Sequence, residues 1–224
     1  MREIFRAVRE FMKKADMILL ALCVAASVFG VVAIASATNY LGGGRYVRTQ
    51  IIALLLGILC YVLLTLIDVD IIAERRELLL IFCTLFISLL FIWGDTQQGN
   101  RSWLNFSWLP FSIQPAELCK IPFILILAKV MSVKQEKISA PTTILRIGGV
   151  TVFLFVLIVA ASEDLGVALQ YLFIFVIMAF VGGVNFMWFL GALGALALAA
   201  PTIWTHLSDD RRSRILVLFD PTID

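Results

Sequence analysis

Hydrophobic residues run along this chain in long unbroken blocks, and the charged residues fall between them. No Asp, Glu, Lys or Arg occurs from Met17 to Gly44, from Ile51 to Ile67, from Leu78 to Gly94, or from Leu165 to Ser208. A helix needs about 20 mostly apolar residues to cross the hydrocarbon core of a bilayer. The blocks therefore predict membrane-spanning helices over residues 16–38, 47–67 and 78–93. A fourth follows Gln114 and Pro115 and reaches Met131; it carries Glu117, Lys120 and Pro122, so it reads less readily as a lipid-facing helix. A fifth covers 144–161. As one helix, the block from Leu165 to Ser208 would be about 65 Å long, more than twice the hydrocarbon thickness. It must be two spans, broken where Gly182-Gly183-Val184-Asn185 punctuates the run. The prediction is an all-α, polytopic transmembrane bundle with about seven spans. A barrel is excluded, because the blocks show no apolar/polar alternation with period two.

Composition agrees and excludes other classes. Of the 224 residues 61% are hydrophobic and 15% charged, with a mean hydropathy of +0.99. Soluble domains are about 45–50% apolar and about 25% charged, so a secreted disulfide scaffold, a disordered tail and an ordinary cytosolic enzyme are all ruled out. The cations then set the orientation, since Lys and Arg concentrate in cytoplasmic loops. Arg2, Arg6, Arg9, Lys13 and Lys14 precede the first span; Arg75 and Arg76 follow the second; Lys129, Lys134, Lys137 and Arg146 surround the loop between the fourth and fifth. The opposite side holds Arg45, Arg48, Arg101 and Lys120 before the tail cluster Arg211, Arg212 and Arg214. This bias predicts a cytoplasmic N-terminus. Residues 1–15 read as a basic cytoplasmic segment suited to anionic headgroups, 16–207 as the transmembrane domain and 208–224 as an external segment.

Most potentially reactive residues carry little signal. Cys23, Cys60, Cys83 and Cys119 fall one each in the first four spans, which fits no zinc spacing and reads as small hydrophobic packing. His206 is the only histidine, which argues against a histidine-based metal site or proton relay. No metal-ligand cluster is predicted, and nothing suggests a nucleic-acid partner.

Polar residues at membrane depth are costly and mark function by default. The densest group lies on the predicted outer side: Gly99-Asn100-Arg101-Ser102-Trp103, then Trp108 and Pro110, then Gln114-Pro115-Ala116-Glu117-Leu118-Cys119-Lys120. Gln114 is positioned as a helix cap and Pro115 as the first helical residue, where its missing N–H costs nothing. Glu117 falls in the first turn, favoured by the helix dipole, and Lys120 shares its face three residues on. Two readings stay open. One makes Glu117 a first-turn cap paired with Lys120, with Trp103 and Trp108 as interfacial anchors. The other is an anion-binding mouth whose cations hold a phosphate or pyrophosphate beneath an aromatic rim. A second group, Ser162-Glu163-Asp164-Leu165-Gly166, places two acids at a predicted helix start on the same side of the membrane. The tail from Ser208 to Pro221 reads either as a surface helix or as the start of a solvated loop.

These motifs, in this order, resemble the SEDS family of shape, elongation, division and sporulation proteins, RodA, FtsW and SpoVE. The similarity is collinear over essentially the whole chain. It includes Asp16 with Leu19-Leu20 and Phe29-Gly30, Arg48 and Gln50 opening the second span, and Asp68 closing it. Gly99–Trp103 is similar to the family's glycine–arginine–tryptophan loop, and Gln114–Lys120 to its Gln-Pro-Ser-Glu-x-x-Lys motif, with Ala116 in place of serine. Asp164-Leu165-Gly166 matches an Asp-Leu-Gly that follows Gln-Pro in the family, here Ser162-Glu163. Arg211 to Arg214, Ile215 and Phe219-Asp220-Pro221 resemble the opening of its large extracellular loop.

The resemblance implies a peptidoglycan glycosyltransferase of the bacterial cytoplasmic membrane that polymerises lipid II beside a class B penicillin-binding protein. It implies substrate-binding roles for Arg101, Trp103, Gln114, Glu117, Lys120 and Asp164, with a divalent cation, magnesium or manganese, as an optional helper at the pyrophosphate. It also implies about ten spans and an essential extracellular aspartate beyond Asp224, so the expectation is a truncated member that lacks the catalytic residue. Two other functions compete. A flippase for the lipid-linked precursor would show paired broken helices in an internal repeat, and no repeat is evident. A non-catalytic scaffold for the penicillin-binding protein would use small-residue faces such as Gly182-Gly183 and Gly191 to Gly194.

Overall fold

A computed structural model describes Phe11 and residues 15–38, 44–97, 99–106, 109, 111–206 and 212. The expected basic segment 1–15 lies outside these residues apart from Phe11 and Ala15, as do Trp108, Pro110 and, apart from Arg212, the tail 208–224.

The helices begin where the polar punctuation directs. Helix α1 (Met17–Ala37) is capped by Asp16, whose carboxylate accepts from the N–H groups of Ile18 and Leu19 at 3.1 and 2.9 Å. Helix α2 (Gly44–Leu66) returns beside it, and the Tyr61 hydroxyl donates to the Asp16 carbonyl at 2.9 Å. A short α3 (Val69–Glu74) starts at Asp68, another side-chain cap. Helices α4 (Arg76–Ser88) and α5 (Leu90–Trp93) run on through Leu89, which keeps right-handed helical dihedrals, so that together they form the expected third span.

Two short antiparallel strands follow, β1 (Gly94–Gln97) and β2 (Asn100–Leu104). The hydrophobic pattern gave no sign of this hairpin. Helix α6 (Pro115–Val133) comes next, then a 3₁₀ turn (Gln135–Lys137), α7 (Pro141–Ser162), α8 (Leu165–Val181) and α9 (Phe186–His206). Including the joined α4–α5, seven long helices stand among the described residues in the predicted order. Four of them (α1, α2, α4–α5 and α7) are long and apolar enough by themselves to cross a membrane; α8 is a shorter apolar helix and α6 carries more charge.

The predicted break within the last apolar block is present. Gly183 turns the chain with φ of 88°, and Ser139 ties the turn back to the α6–α7 loop. Its Oγ accepts from the Asn185 N–H at 2.8 Å, and its carbonyl accepts from the Trp188 indole N–H at 3.0 Å. Gly182 has a packing reason as well: a Cβ there would lie 2.9 Å from the Met178 carbonyl oxygen, besides meeting the movable end of Met131. Gly191 and Gly194, by contrast, meet nothing within 4 Å.

The core lies between α4, α6, α7 and α8, where Cys83, Ile87, Phe123, Leu127, Leu154, Ile158 and Tyr171 are fully buried. Helix α6 is its axis. Two buried hydroxyls are satisfied within their own helices, Thr151 donating to the Ile147 carbonyl at 2.8 Å and Ser162 to that of Ile158 at 2.7 Å. Such internal pairing is what low-dielectric surroundings require. Cys83 and Cys119 are buried and meet across the α4–α6 contact, each sulfur lying 3.8–4.0 Å from the other's carbonyl oxygen. The exterior of the bundle is rich in exposed leucine, valine and phenylalanine, as a lipid-facing surface is.

Candidate functional site

The candidate residues collect where the hairpin covers the N-terminal ends of α6 and α8. Pro115 occupies the first turn of α6, as its missing N–H favours, and Gln114 holds the N-cap position. The Gln114 side chain makes no capping hydrogen bond. Its extra methylene explains the difference, since side-chain caps are normally made by the shorter Ser, Thr, Asp and Asn.

Three residues into the helix, Glu117 receives a 2.6 Å ion pair from the Lys120 ammonium, as the i, i+3 spacing predicts. The Lys120 side chain is 16% exposed and that of Glu117 is 45% exposed. Lys120 also donates to the side-chain carbonyl of Gln170 on α8. An ammonium only donates, so the glutamine must present its oxygen. One residue further along α8, the buried Tyr171 hydroxyl donates to the Ala116 carbonyl at 2.6 Å, and its ring packs 4.8 Å from that of Phe123. Two consecutive residues of α8 thus grip the opening turns of α6.

Asp164 joins the hairpin to this seam. It is the N-cap of α8, accepting from the Val167 N–H at 3.1 Å, while the buried Ser102 on β2 donates to its other oxygen at 3.4 Å. Glu163 behaves otherwise than expected. The sequence pairs it with Asp164 at a helix start, but it closes α7 in a left-handed conformation, φ 58° and ψ 12°, with its N–H bonded to the Val159 carbonyl. Only two residues separate the helices, so one acid ends α7 and the other begins α8.

Arg101 is set apart from the Glu117–Lys120 pair. Its guanidinium donates to the carbonyls of Phe91 at 2.6 Å and Gly94 at 3.3 Å, where a cation complements the C-terminal end of α5. Gly94 makes room for this arrangement, because a Cβ there would come within 2.8 Å of the Arg101 Cγ and 2.4 Å of the Leu90 carbonyl. Trp103 is half-buried on β2 opposite Asp95. Beyond it Asn105 donates to Asp95 and accepts from Ser112, while Leu104 and Ile113 exchange backbone bonds of 2.7 and 2.9 Å, anchoring the loop end to the hairpin. A cavity of about 260 Å³ beside the hairpin is lined by Trp93, Leu104, Asn105 and Phe106.

The structure therefore brings Glu117 and Lys120 into direct contact and ties Asp164 to the same helix seam. It places Arg101 on the α5 carbonyls instead. Sequence reasoning placed Ser102 in the candidate group without a role and missed Gln170 and Tyr171 as parts of the site. For Gln170 the signal was present, a polar side chain within an otherwise apolar span, but a map of charges alone passes over it.

The residues do not fit a resident divalent cation. Among the described residues no three His, Cys, Asp or Glu side chains converge, and Glu117 and Asp164 are already engaged by Lys120 and by Ser102 and Val167.

Comparison with known proteins bears on this geometry. The FtsW/RodA/SpoVE family, described as "Cell cycle protein", matches residues 14–224. A probable peptidoglycan glycosyltransferase FtsW from Geobacter metallireducens is 29% identical over 219 residues, covering 93% of this chain and 57% of the relative. The stage V sporulation protein E of Bacillus subtilis is 34% identical over 138 residues, 56% of this chain and 36% of that protein. A solved chain from a peptidoglycan synthase complex superposes with a TM-score of 0.74 at 31% identity, over 90% of this chain and 58% of that one. The Thermus thermophilus rod shape determining protein RodA does so with a TM-score of 0.63 at 30% identity, over 80% of this chain and 57% of RodA. The chain spans somewhat over half the length of the FtsW relatives that it matches over 93% of its own length. With its helix order, the polar seam at the ends of α6 and α8 and this similarity taken together, the chain is a multi-pass membrane protein belonging to the FtsW/RodA/SpoVE family.

Proposed function

We propose that this chain contributes the lipid-substrate-binding region of a peptidoglycan polymerase in the bacterial cytoplasmic membrane. Its substrate is lipid II, and its partner is a class B penicillin-binding protein. The observation that carries this reading is Lys120, a cation five residues inside α6 and therefore about 7–8 Å below the helix start. A charge at that depth is retained where a charged ligand or pathway needs it.

Lipid II offers a pyrophosphate at that level, a disaccharide outside and a polyprenyl chain within the bilayer. Lys120 supplies a charge-assisted hydrogen bond to a pyrophosphate oxygen and stabilises charge developing on the leaving phosphate. Glu117 orients the ammonium from its own helix. Asp164 and Ser102 hold the hairpin over the seam, and Trp103 with Trp93 supplies aromatic surface for the sugar. Arg101 acts one step removed, by fixing the hairpin to the end of α5. The apolar flanks of α6 and α8 accommodate the polyprenyl chain.

The test uses the whole chain in nanodiscs, with labelled lipid II and with the cognate penicillin-binding protein present or absent. Wild type is expected to bind lipid II, and Lys120→Ala to weaken binding about tenfold or more, the loss of one charge-assisted hydrogen bond. Equal binding by wild type and variant would overturn the assignment of Lys120. Movement of lipid II across vesicles without polymer formation by chain and partner would favour transport instead.

A further inference from the structure

We infer that Gln170 is a positioning residue of this site: its side-chain carbonyl holds the Lys120 ammonium across the α6–α8 seam and keeps the cluster free of excess negative charge. The pyrophosphate part of this inference rests on the lipid II reading above.

The two residues lie at matched depth. Lys120 is the sixth residue of α6 counted from Pro115, and Gln170 is the sixth of α8 counted from Leu165. Both helices start beneath the hairpin, so the polar groups meet about one and a half turns along each helix, with Lys120 mostly covered and Gln170 on the exposed side of the seam. On one helix alone, a Glu–Lys pair at i, i+3 is a weak constraint, because the long side chain keeps other rotamers within reach. A second acceptor on a neighbouring helix removes that freedom. The Tyr171 hydroxyl on the Ala116 carbonyl and the Tyr171–Phe123 ring contact fix the rotation of α8 against α6, which makes the placement of Gln170 dependable.

The choice of an amide also has a chemical consequence. The ammonium has three N–H groups. Glu117 takes one, Gln170 takes another and one is left for a ligand oxygen. Glu117 and Lys120 cancel in charge, and a neutral Gln170 leaves that balance intact. A carboxylate at position 170 would hold the ammonium equally well but make the cluster net negative, repelling an incoming phosphate. An alanine would leave the charge unchanged and lose the hold. The two substitutions therefore separate positioning from charge.

The experiment takes the full chain in phosphatidylcholine nanodiscs as wild type, Gln170→Ala and Gln170→Glu. Two readouts are paired. Pulse acetylation with acetic anhydride, followed by mass spectrometry, reports the reactivity of Lys120 against Lys129 and Lys134 as internal references for folding. Titration with farnesyl pyrophosphate, with farnesol as the uncharged control, reports anion binding. Gln170→Ala is expected to raise Lys120 acetylation about tenfold, the loss of one hydrogen bond to a charged group, and to weaken pyrophosphate binding severalfold. Gln170→Glu is expected to keep Lys120 as protected as in wild type while weakening pyrophosphate binding at least as much as the alanine. Unchanged acetylation in Gln170→Ala overturns the inference, as does a glutamate variant that labels like the alanine. Raised acetylation with unchanged pyrophosphate affinity overturns the role in the anion site. Failure of wild type to bind farnesyl pyrophosphate counts against the substrate reading, and the acetylation arm then decides the hold on Lys120 independently.

Discussion

Helices α1 and α2 have no charge between Met17 and Gly44 or between Ile51 and Ile67, yet neither contributes a buried side chain. Helix α6 carries Glu117, Lys120, Lys129 and a mid-helix proline, and it contributes eight buried residues. In water the order would be reversed, because segments free of charge would fill the core. In a bilayer the lipid tails solvate leucine and valine as well as protein does, so apolar character alone gives no reason to pack. Polar and small residues give that reason. Lys120 meets Gln170, Tyr171 meets the Ala116 carbonyl, and Ser102 meets Asp164, each contact drawing the polar-bearing helices together.

Phenylalanine offers the sharpest way to break this comparison. Phe123 is 0% exposed on α6, whereas Phe29 is 75% exposed on α1. Phe123→Ala is expected to destabilise the chain by about 3–5 kcal/mol through the cavity it leaves. Phe29→Ala should cost under about 0.5 kcal/mol, as surface changes do. Unfolding of each variant in mixed micelles by titration with SDS measures both. Similar losses would mean that α1 packs in solution as tightly as α6.

Tyrosine makes the comparison again at the level of one hydroxyl. The Tyr171 and Tyr61 hydroxyls donate to carbonyls at 2.6 and 2.9 Å, the first buried and the second exposed. Tyr171→Phe loses a bond strengthened by its buried surroundings, while the Ala116 carbonyl keeps its place in the helix ladder, and is expected to cost about 1–2 kcal/mol, against at most about 1 kcal/mol for Tyr61→Phe. The same titration distinguishes them.

The two aspartate caps sharpen it further. The carboxylates of Asp16 and Asp164 both cap a helix, but only that of Asp164 also accepts from a second element, through Ser102; the bond from Tyr61 reaches the Asp16 backbone carbonyl, which a side-chain substitution leaves in place. Asp16→Ala should cost about 1 kcal/mol, the ordinary value of a cap. Asp164→Ala should cost about 2 kcal/mol and also loosen the hairpin, detected as faster hydrogen exchange at the backbone N–H of Leu104. Equal effects of the two substitutions on Leu104 would show that Asp164 acts as a cap alone.

How far the sequence anticipated all this follows the same division. The helices and the Gly182–Asn185 break were legible because a span is a property of one segment, its length and its lack of charge. Glu117 and Lys120 were legible because i, i+3 spacing is also local. The hairpin was not: strands of four and five residues in a polar linker leave no periodic signal, and they are stabilised by what they sit on. Nor was the destination of Arg101, which depends on two carbonyls at the end of α5 and on the absence of a side chain at Gly94. Gln170 needed the register of α8 against α6, a non-local quantity. Resemblance to the family implies roles for Glu117 and Lys120 but names no cross-helix partner for them.

The smallest expected effect tests the join between two elements of the core. Glu163 sits at φ 58°, a left-handed conformation that a side chain with a Cβ resists and glycine adopts freely. It ends α7, and the next residue, Asp164, caps α8. The Glu163 side chain is exposed, so removing it sacrifices little packing. Glu163→Gly is therefore expected to stabilise the chain by up to about 1 kcal/mol, the relief of left-handed strain less the entropy glycine adds to the unfolded chain. Glu163→Ala keeps the strain and should give no gain. A loss of stability in the glycine variant would show that the carboxylate itself holds the α7–α8 turn, making this junction a second polar fastening of the bundle.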